Sequence, residues 1–216
     1  MQSGEHELAL SGRGLTVIGV DEAGRGALAG PVVAAAVVLS ASSIPEGIND
    51  SKKIRPLHRT QLAEAIKSSA KAWAVGLCSP GHIDTVNILQ ATFDAMHMAI
   101  NDCISRVGEP PEMCHLLIDG NRFRPHAVQH TTVVHGDALC VSIAAASILA
   151  KVYRDNVMTG ELDRLYPVYG FARHKGYGTE LHRTAIATHG PCPEHRRTFI
   201  SGIEPLVVSV LTEHRR

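Results

Sequence analysis

An α/β fold is predicted for this chain of 216 residues: a mixed sheet flanked by helices, with a helical appendage at the C-terminal side. Three observations predict it. Short runs rich in β-branched residues recur at 15–20, 31–39, 71–78, 115–118 and 131–134. Longer segments with helical spacing lie between and after them, at 57–70, 84–105, 142–158 and 180–189. Hydrophobic residues make up 44% of the chain, enough to bury one sizeable core.

Each element has its own justification. Residues 1–14 are polar, with Glu5, Glu7 and Arg13, and are expected as a flexible tail preceding one domain over 15–216. The run Leu15, Thr16, Val17, Ile18, Gly19, Val20 is the first strand. Residues 31–39 follow it after a short glycine-containing link, so the two strands are expected to be antiparallel. The 57–70 segment is amphipathic. The 84–105 helix is expected to start at an Asp84 cap and carries Leu89, Phe93, Met96, Ile100 and Ile104 at helical spacing. The strand at 115–118 ends at Asp119-Gly120, and Thr131 to Val134 form another. An Ala-rich helix is expected over 142–158, and the 180–189 helix stops at Gly190. The helical part spans about 160–216 and closes with a short helix at 206–211.

Composition narrows the function. Lys and Arg number 21 against 21 Asp and Glu, which excludes a generally basic nucleic-acid coat while leaving local patches open. Five scattered cysteines without a Cys-x-x-Cys pair argue against a disulfide framework. No uncharged apolar run reaches membrane-spanning length, so a soluble cytoplasmic protein is expected, with no membrane partner.

The chemistry concentrates at Asp21-Glu22-Ala23-Gly24-Arg25-Gly26, at the end of the first strand. Adjacent carboxylates repel and are best tolerated where they meet water or a cation. Glycines beside an arginine let the backbone approach a ligand. Asp119 and Asp137 also sit at the edges of buried elements, where α/β sheets place their sites. Four carboxylates carry about −4, which two divalent cations about 4 Å apart would neutralise while promoting phosphodiester hydrolysis. Hard oxygen ligands favour Mg²⁺ or Mn²⁺. Taken singly, Asp119 also reads as a turn residue and Asp137 as a helix cap. Gly24-x-Gly26-x-x-Ala29 fits a dinucleotide fingerprint, but Pro31 and the Val/Ala run do not open a helix beneath it.

Other groups are candidates for contact with a nucleic-acid backbone. Lys52 and Lys53 lie in a polar loop, and Lys151 on the Ala-rich helix beside Arg154. Arg122, Arg124, His126, His130 and His135 make a local basic patch. Tyr177 between two glycines can present its face to a base or sugar, and His174 and Lys175 precede it. Arg196 and Arg197 read as supports for the site or the duplex. His189, Cys192 and His195 have soft-metal spacing, but no second cluster completes four ligands.

Ordered motifs make the chain resemble a known family. They are Val20-Asp21-Glu22-Ala23-Gly24-Arg25-Gly26 with Leu28-Ala29-Gly30-Pro31; Asp50-Ser51-Lys52-Lys53; Ile118-Asp119-Gly120; Gly136-Asp137 with Ser142 to Val152 and Arg154-Asp155; Tyr166-Pro167 with Tyr169-Gly170-Phe171; His174 to Thr179; and His195-Arg196-Arg197. In this order, over roughly 15–200, they resemble ribonuclease HII, the prokaryotic type 2 ribonuclease H. The resemblance implies a ribonuclease H-like fold and cleavage of RNA in RNA–DNA hybrids. It further implies cutting 5′ of single ribonucleotides embedded in duplex DNA, a step in ribonucleotide excision repair. By position, Asp21, Glu22, Asp119 and Asp137 match metal-binding acids. Gly24, Arg25 and Gly26 match the loop that reads the ribose 2′-hydroxyl, and Tyr177 the tyrosine stacked near the RNA–DNA junction. Ala27 stands where the family usually has proline, a departure expected to loosen that loop slightly. The chain is read as a monomer, with a replication or repair protein as a recruiting partner. A resolvase-type nuclease on the same fold is the alternative within the class, and a noncatalytic nucleic-acid or nucleotide-binding module the alternative outside it.

Overall fold

The computed structural model describes residues 4–48 and 54–204. One five-stranded sheet organises it, built from β1 (Thr16–Ala23), β2 (Val32–Val38), β3 (Ala72–Cys78), β4 (Cys114–Asp119) and β5 (Gln129–Val133) in the order β3-β2-β1-β4-β5. The expected antiparallel pairing of the first two strands is present, with Asp21 opposite Ala35. β2 and β3 are also antiparallel, whereas β4 runs parallel to both β1 and β5.

Every residue of β2 is buried, and its alternation divides the core. Val32, Ala34, Ala36 and Val38 face a cluster containing Phe93, Met96 and Ile100 of α4 (Ile88–Val107). Val33, Ala35 and Val37 face Leu62 and Ile66 of α2 (Pro56–Ser69) and Ala145, Ile148 and Leu149 of α6 (Val141–Asn156). The small alanines of β2 let helices close on both faces of one strand. A third cluster joins Leu28 and Ala29 to Met158, Phe171, Ile186 and Ile200, so the C-terminal part packs against the loop after β1.

Several boundaries differ from the sequence reading. The expected tail contains helix α1 (Glu5–Ser11), whose Leu10 is buried with Leu117, Val133, Cys140 and Ile143. The expected 84–105 helix is two helices, α3 (Pro80–Val86) and α4, separated at Asn87. Asn87 adopts φ 72 and its side chain accepts hydrogen bonds from the Leu89 and Gln90 N–H groups, capping α4. Asp84 caps nothing in α4. It accepts instead from the Arg197 and Thr198 backbone and from the Thr198 hydroxyl. The Ala-rich helix ends at Asn156 and continues as a π-helical turn, Val157–Leu162. A one-turn helix α5 (Gly136–Leu139) carries Asp137. The expected helix at 206–211 and the lysines Lys52 and Lys53 lie outside the described residues. All five cysteines are free and buried, as the absence of a disulfide framework requires. Among the described residues, no helix is long and apolar enough to cross a membrane.

Candidate active site

The parallel pairing of β1 and β4 sets the site. Val20 lies opposite Ile118, so Asp21 and Asp119 follow side by side at the carboxyl ends of adjacent strands. Asp21, Glu22, Ala23, Gly24, Arg25, Asp119, Ser147, Lys151 and Tyr177 line one cavity of about 360 Å³. Asp21 is almost fully buried. Burial first, then the charges of Glu22 and Asp119, raises its carboxyl well above 3.8, against the opposing pull of hydrogen bonds from Ser147 and the Glu22 N–H. A cation placed among these acids would relieve that repulsion. The donors are all hard oxygens, which suits Mg²⁺ or Mn²⁺. Among the described residues no three acid, histidine or cysteine side chains form a ready-made metal-ligand set. The fit therefore lies in donor type and shared cavity, with the acids engaged elsewhere: Asp119 Oδ1 accepts from the Gly136 N–H at 2.7 Å, and Glu22 Oε1 pairs with Arg25 at 3.2 Å. Asp137 lies one residue after Gly136, at the opening of α5 and outside the residues that line the cavity.

The loop after β1 is held from within. Gly24 has φ 93, and a Cβ there would come within 2.0 Å of Arg154 Nε, so both backbone angle and space require glycine. Arg154, fully buried, donates to the carbonyls of Pro31, Ala29 and Lys175. Arg196, also fully buried, donates to those of Gly24, Arg25 and Gly30. Burial, then the neighbouring Arg154 charge, lowers Arg196 to about 9, which leaves it cationic at neutral pH. The loop thus turns its carbonyls towards two guanidiniums while the Arg25 side chain, 49% exposed, and Gly26 face outward. Ala27 adds a closure of its own: its N–H reaches the Gly24 carbonyl at 3.3 Å, a bond that proline cannot make.

Tyr177 is half-buried, with Lys151 Nζ 5.5 Å and Arg154 Cζ 5.3 Å from its ring centroid. Lys151 also pairs with Asp155 at 2.8 Å. Behind the tyrosine is a chain of imidazoles. The Cys192 N–H donates to His195 Nδ1 at 3.0 Å. His195 Nε2 therefore carries the proton and donates to His182 Nε2 at 3.1 Å. His182 Nδ1 donates in turn to the Tyr177 carbonyl at 3.0 Å. Burial lowers both imidazoles to about 4. Cys192 and His195 are thus partners in this chain.

The structure gathers Asp21, Glu22, Asp119, Gly24, Arg25, Lys151 and Tyr177 around one cavity and places three other residues elsewhere. His174 is buried, donating to the Tyr169 carbonyl and accepting from the Gly176 N–H, so both ring nitrogens are used inside the fold. Lys175 Nζ folds back onto the Ala172 carbonyl. Arg196 is walled off from solvent and acts on the loop carbonyls. Ser147 and Arg154 were not singled out as site residues by the sequence reading. Their signal is the spacing Ser147, Lys151, Arg154, one face of α6 at helical period.

A family model for ribonuclease HII matches residues 18–201. The ribonuclease HII of Parabacteroides distasonis is 54% identical over 84% of this chain and 88% of its own length. That of Nitratidesulfovibrio vulgaris is 48% identical over 87% and 86%. Among solved structures, ribonuclease H2 of Pyrococcus horikoshii superposes with TM-score 0.69 at 26% identity, covering 87% of this chain and 96% of that one. The ribonuclease HII in a PCNA complex from Archaeoglobus fulgidus gives 0.68 at 25% identity, covering 84% and 94%. The sheet, its flanking helices and the strand-end acids therefore define a ribonuclease H, a hydrolase. Within that class, the chain belongs to the ribonuclease HII family, enzymes that cleave the RNA of RNA–DNA hybrids.

Proposed function

We propose that this enzyme cuts the RNA strand of hybrids and also nicks 5′ of a single ribonucleotide embedded in duplex DNA, leaving 3′-hydroxyl and 5′-phosphate ends. One observation carries the reading: the acids Asp21, Glu22 and Asp119 share a cavity with Gly24, Arg25 and Tyr177. On this reading, chemistry on a phosphate and selection of a sugar share one cavity. Asp21, Glu22, Asp119 and Asp137 would hold the divalent cations. When bound, two such ions supply an activated water and neutralise charge on the attacking and leaving oxygens. The Gly24-Arg25-Gly26 backbone, stiffened by Arg154 and Arg196, would meet the 2′-hydroxyl, the group that distinguishes RNA from DNA at one residue. Tyr177, its ring fixed beside two cations, would stack against the adjoining sugar or base. Lys151, and by sequence Lys52 and Lys53, would contact phosphates and set the register of the duplex. By analogy with the PCNA complex of the Archaeoglobus protein, a replication clamp is the proposed recruiting partner.

The test compares three duplexes, one with an embedded ribonucleotide, one with an all-RNA strand and one all DNA, each with and without EDTA. Cleavage of the first two, abolished by EDTA, is expected, with the DNA left intact. Comparable cleavage of the all-DNA duplex would overturn the ribose-selecting role. Asp119→Asn keeps the shape of the side chain and removes its charge. It is expected to slow cleavage by at least about a hundredfold, the upper end of what losing a metal-site partner costs. A wild-type rate for this variant at saturating Mg²⁺ would remove Asp119 from the site.

A further inference from the structure

The stretch that carries Asp137 is pinned at two points. On one side, the Gly136 N–H donates to Asp119 Oδ1 at 2.7 Å. On the other, Ser142 donates twice to Glu7 Oε1, from its backbone N–H at 3.0 Å and its hydroxyl at 2.8 Å. Glu7 belongs to α1, 135 residues earlier in the chain. Its carboxylate sits at the first turn of α6, where a negative charge meets the positive end of the helix dipole. Below this contact, Leu10 of α1 packs with Leu117, Val133, Cys140 and Ile143, a small core directly under the α5 turn. The same point touches β1: a Cβ on Gly19 would come within 2.1 Å of the Ser142 carbonyl carbon, so backbone meets backbone two residues before Asp21.

The second oxygen of Glu7 is informative. Oε2 is buried without a hydrogen-bond partner. Such an atom costs stability, so the glutamate is not explained as an optimised stabilising contact. A serine or asparagine at the start of α6 could cap that helix locally without the cost. A cap delivered from α1 does something a local cap cannot: it fixes where the α5–α6 junction stands relative to β1 and β4.

We propose that Glu7 is a positioning residue for Asp137, and that α1 acts as a brace holding the fourth acid in place against the other three. The inference rests on the metal-holding role of these acids proposed above. Glu7 does not line the cavity and touches no reacting group. Its effect passes through Ser142, the α5 turn and the Gly136–Asp119 bond.

The experiment measures Mn²⁺ binding to substrate-free protein from the free-ion paramagnetic resonance signal, for wild type, Glu7→Ala, Glu7→Gln and Leu8→Ala. Leu8 lies on the same helix but is 71% exposed, so Leu8→Ala controls for general damage to α1. Glu7→Ala is expected to weaken Mn²⁺ binding about tenfold, the lower bound for partners outside the ligand shell. Its half-saturating Mn²⁺ in hybrid cleavage should move by the same factor while the KM for hybrid stays unchanged. Glu7→Gln retains an oxygen acceptor for Ser142 and should restore most of the affinity. Leu8→Ala should match wild type. Wild-type Mn²⁺ affinity in Glu7→Ala, with only a lowered Tm, would reduce α1 to a structural element and overturn the proposal. Should Glu7→Ala not fold, Ser142→Ala removes one of the two bonds and is expected to weaken Mn²⁺ binding about threefold, the worth of one hydrogen bond; no change would overturn the proposal equally. Because binding is measured without nucleic acid, a wild type that binds Mn²⁺ but leaves hybrids uncut would sink the functional reading and leave the comparison of variants intact.

Discussion

Arg154 and Arg196 differ most between a linear reading and the folded chain. Basicity next to recognisable motifs suggests contact with substrate, and from sequence Arg196 reads as a support for the site or the duplex. Burial is what a sequence conceals: both guanidiniums are fully buried, and they hold six backbone carbonyls, five of them in the loop after β1. A planar fork of five donors can serve several carbonyls at once, and an ammonium cannot. Arg196→Lys is therefore expected to cost about 3 kcal/mol in denaturant unfolding, as for a broken buried charge network. It should also narrow the gap in rate between ribonucleotide-containing and all-DNA duplexes. An unchanged gap would separate loop shape from ribose selection. The acids were more legible. Asp21, Glu22 and Asp119 stand where an apolar strand runs out, and that pattern is written in consecutive residues. The inward role of His174 was not, because its partners are the backbone of Tyr169 and Gly176.

At the level of elements, period and punctuation carried the strands and most helices, since β2 and α6 announce themselves by composition. The misreadings share a cause. The break at Asn87 depends on a non-glycine residue held at φ 72, which apolar spacing across 84–105 conceals. Helix α1 has polar residues on most faces and gains its fixed place from Leu10 and Glu7, both through tertiary contacts. A close approach of two elements is equally silent in sequence. Gly19 lies in a strand where glycine is unfavourable, and its reason is Ser142 of α6 against its α-carbon. Gly19→Ala is expected to force β1 and α6 apart and destabilise the fold by about 2 kcal/mol, as overpacking does. The midpoint of urea unfolding measures it, and an unshifted midpoint would mean that α6 yields freely.

For the whole molecule, the imidazole chain ties the C-terminal part to the site and makes stability depend on pH. His182 and His195 bind protons near 6.5 when unfolded and only near 4 when folded, because burial disfavours the charged imidazole. Depressed values mean that the unfolded chain takes up more protons in that window. Their contribution to stability is thus complete above pH 6.5 and is lost as pH falls to about 4. Tm should drop across that interval, and His195→Phe should flatten the slope; an equally steep profile in the variant would assign the effect to other groups. Arg196 grips carbonyls that lie 166 to 172 residues before it. The acids of β1 lie beside this loop, whereas the residue that holds the loop comes 172 residues after Gly24. A chain cut before Arg196 would leave the Gly24, Arg25 and Gly30 carbonyls without their donor, so the shape of a loop laid down early depends on a guanidinium from the far side of the fold.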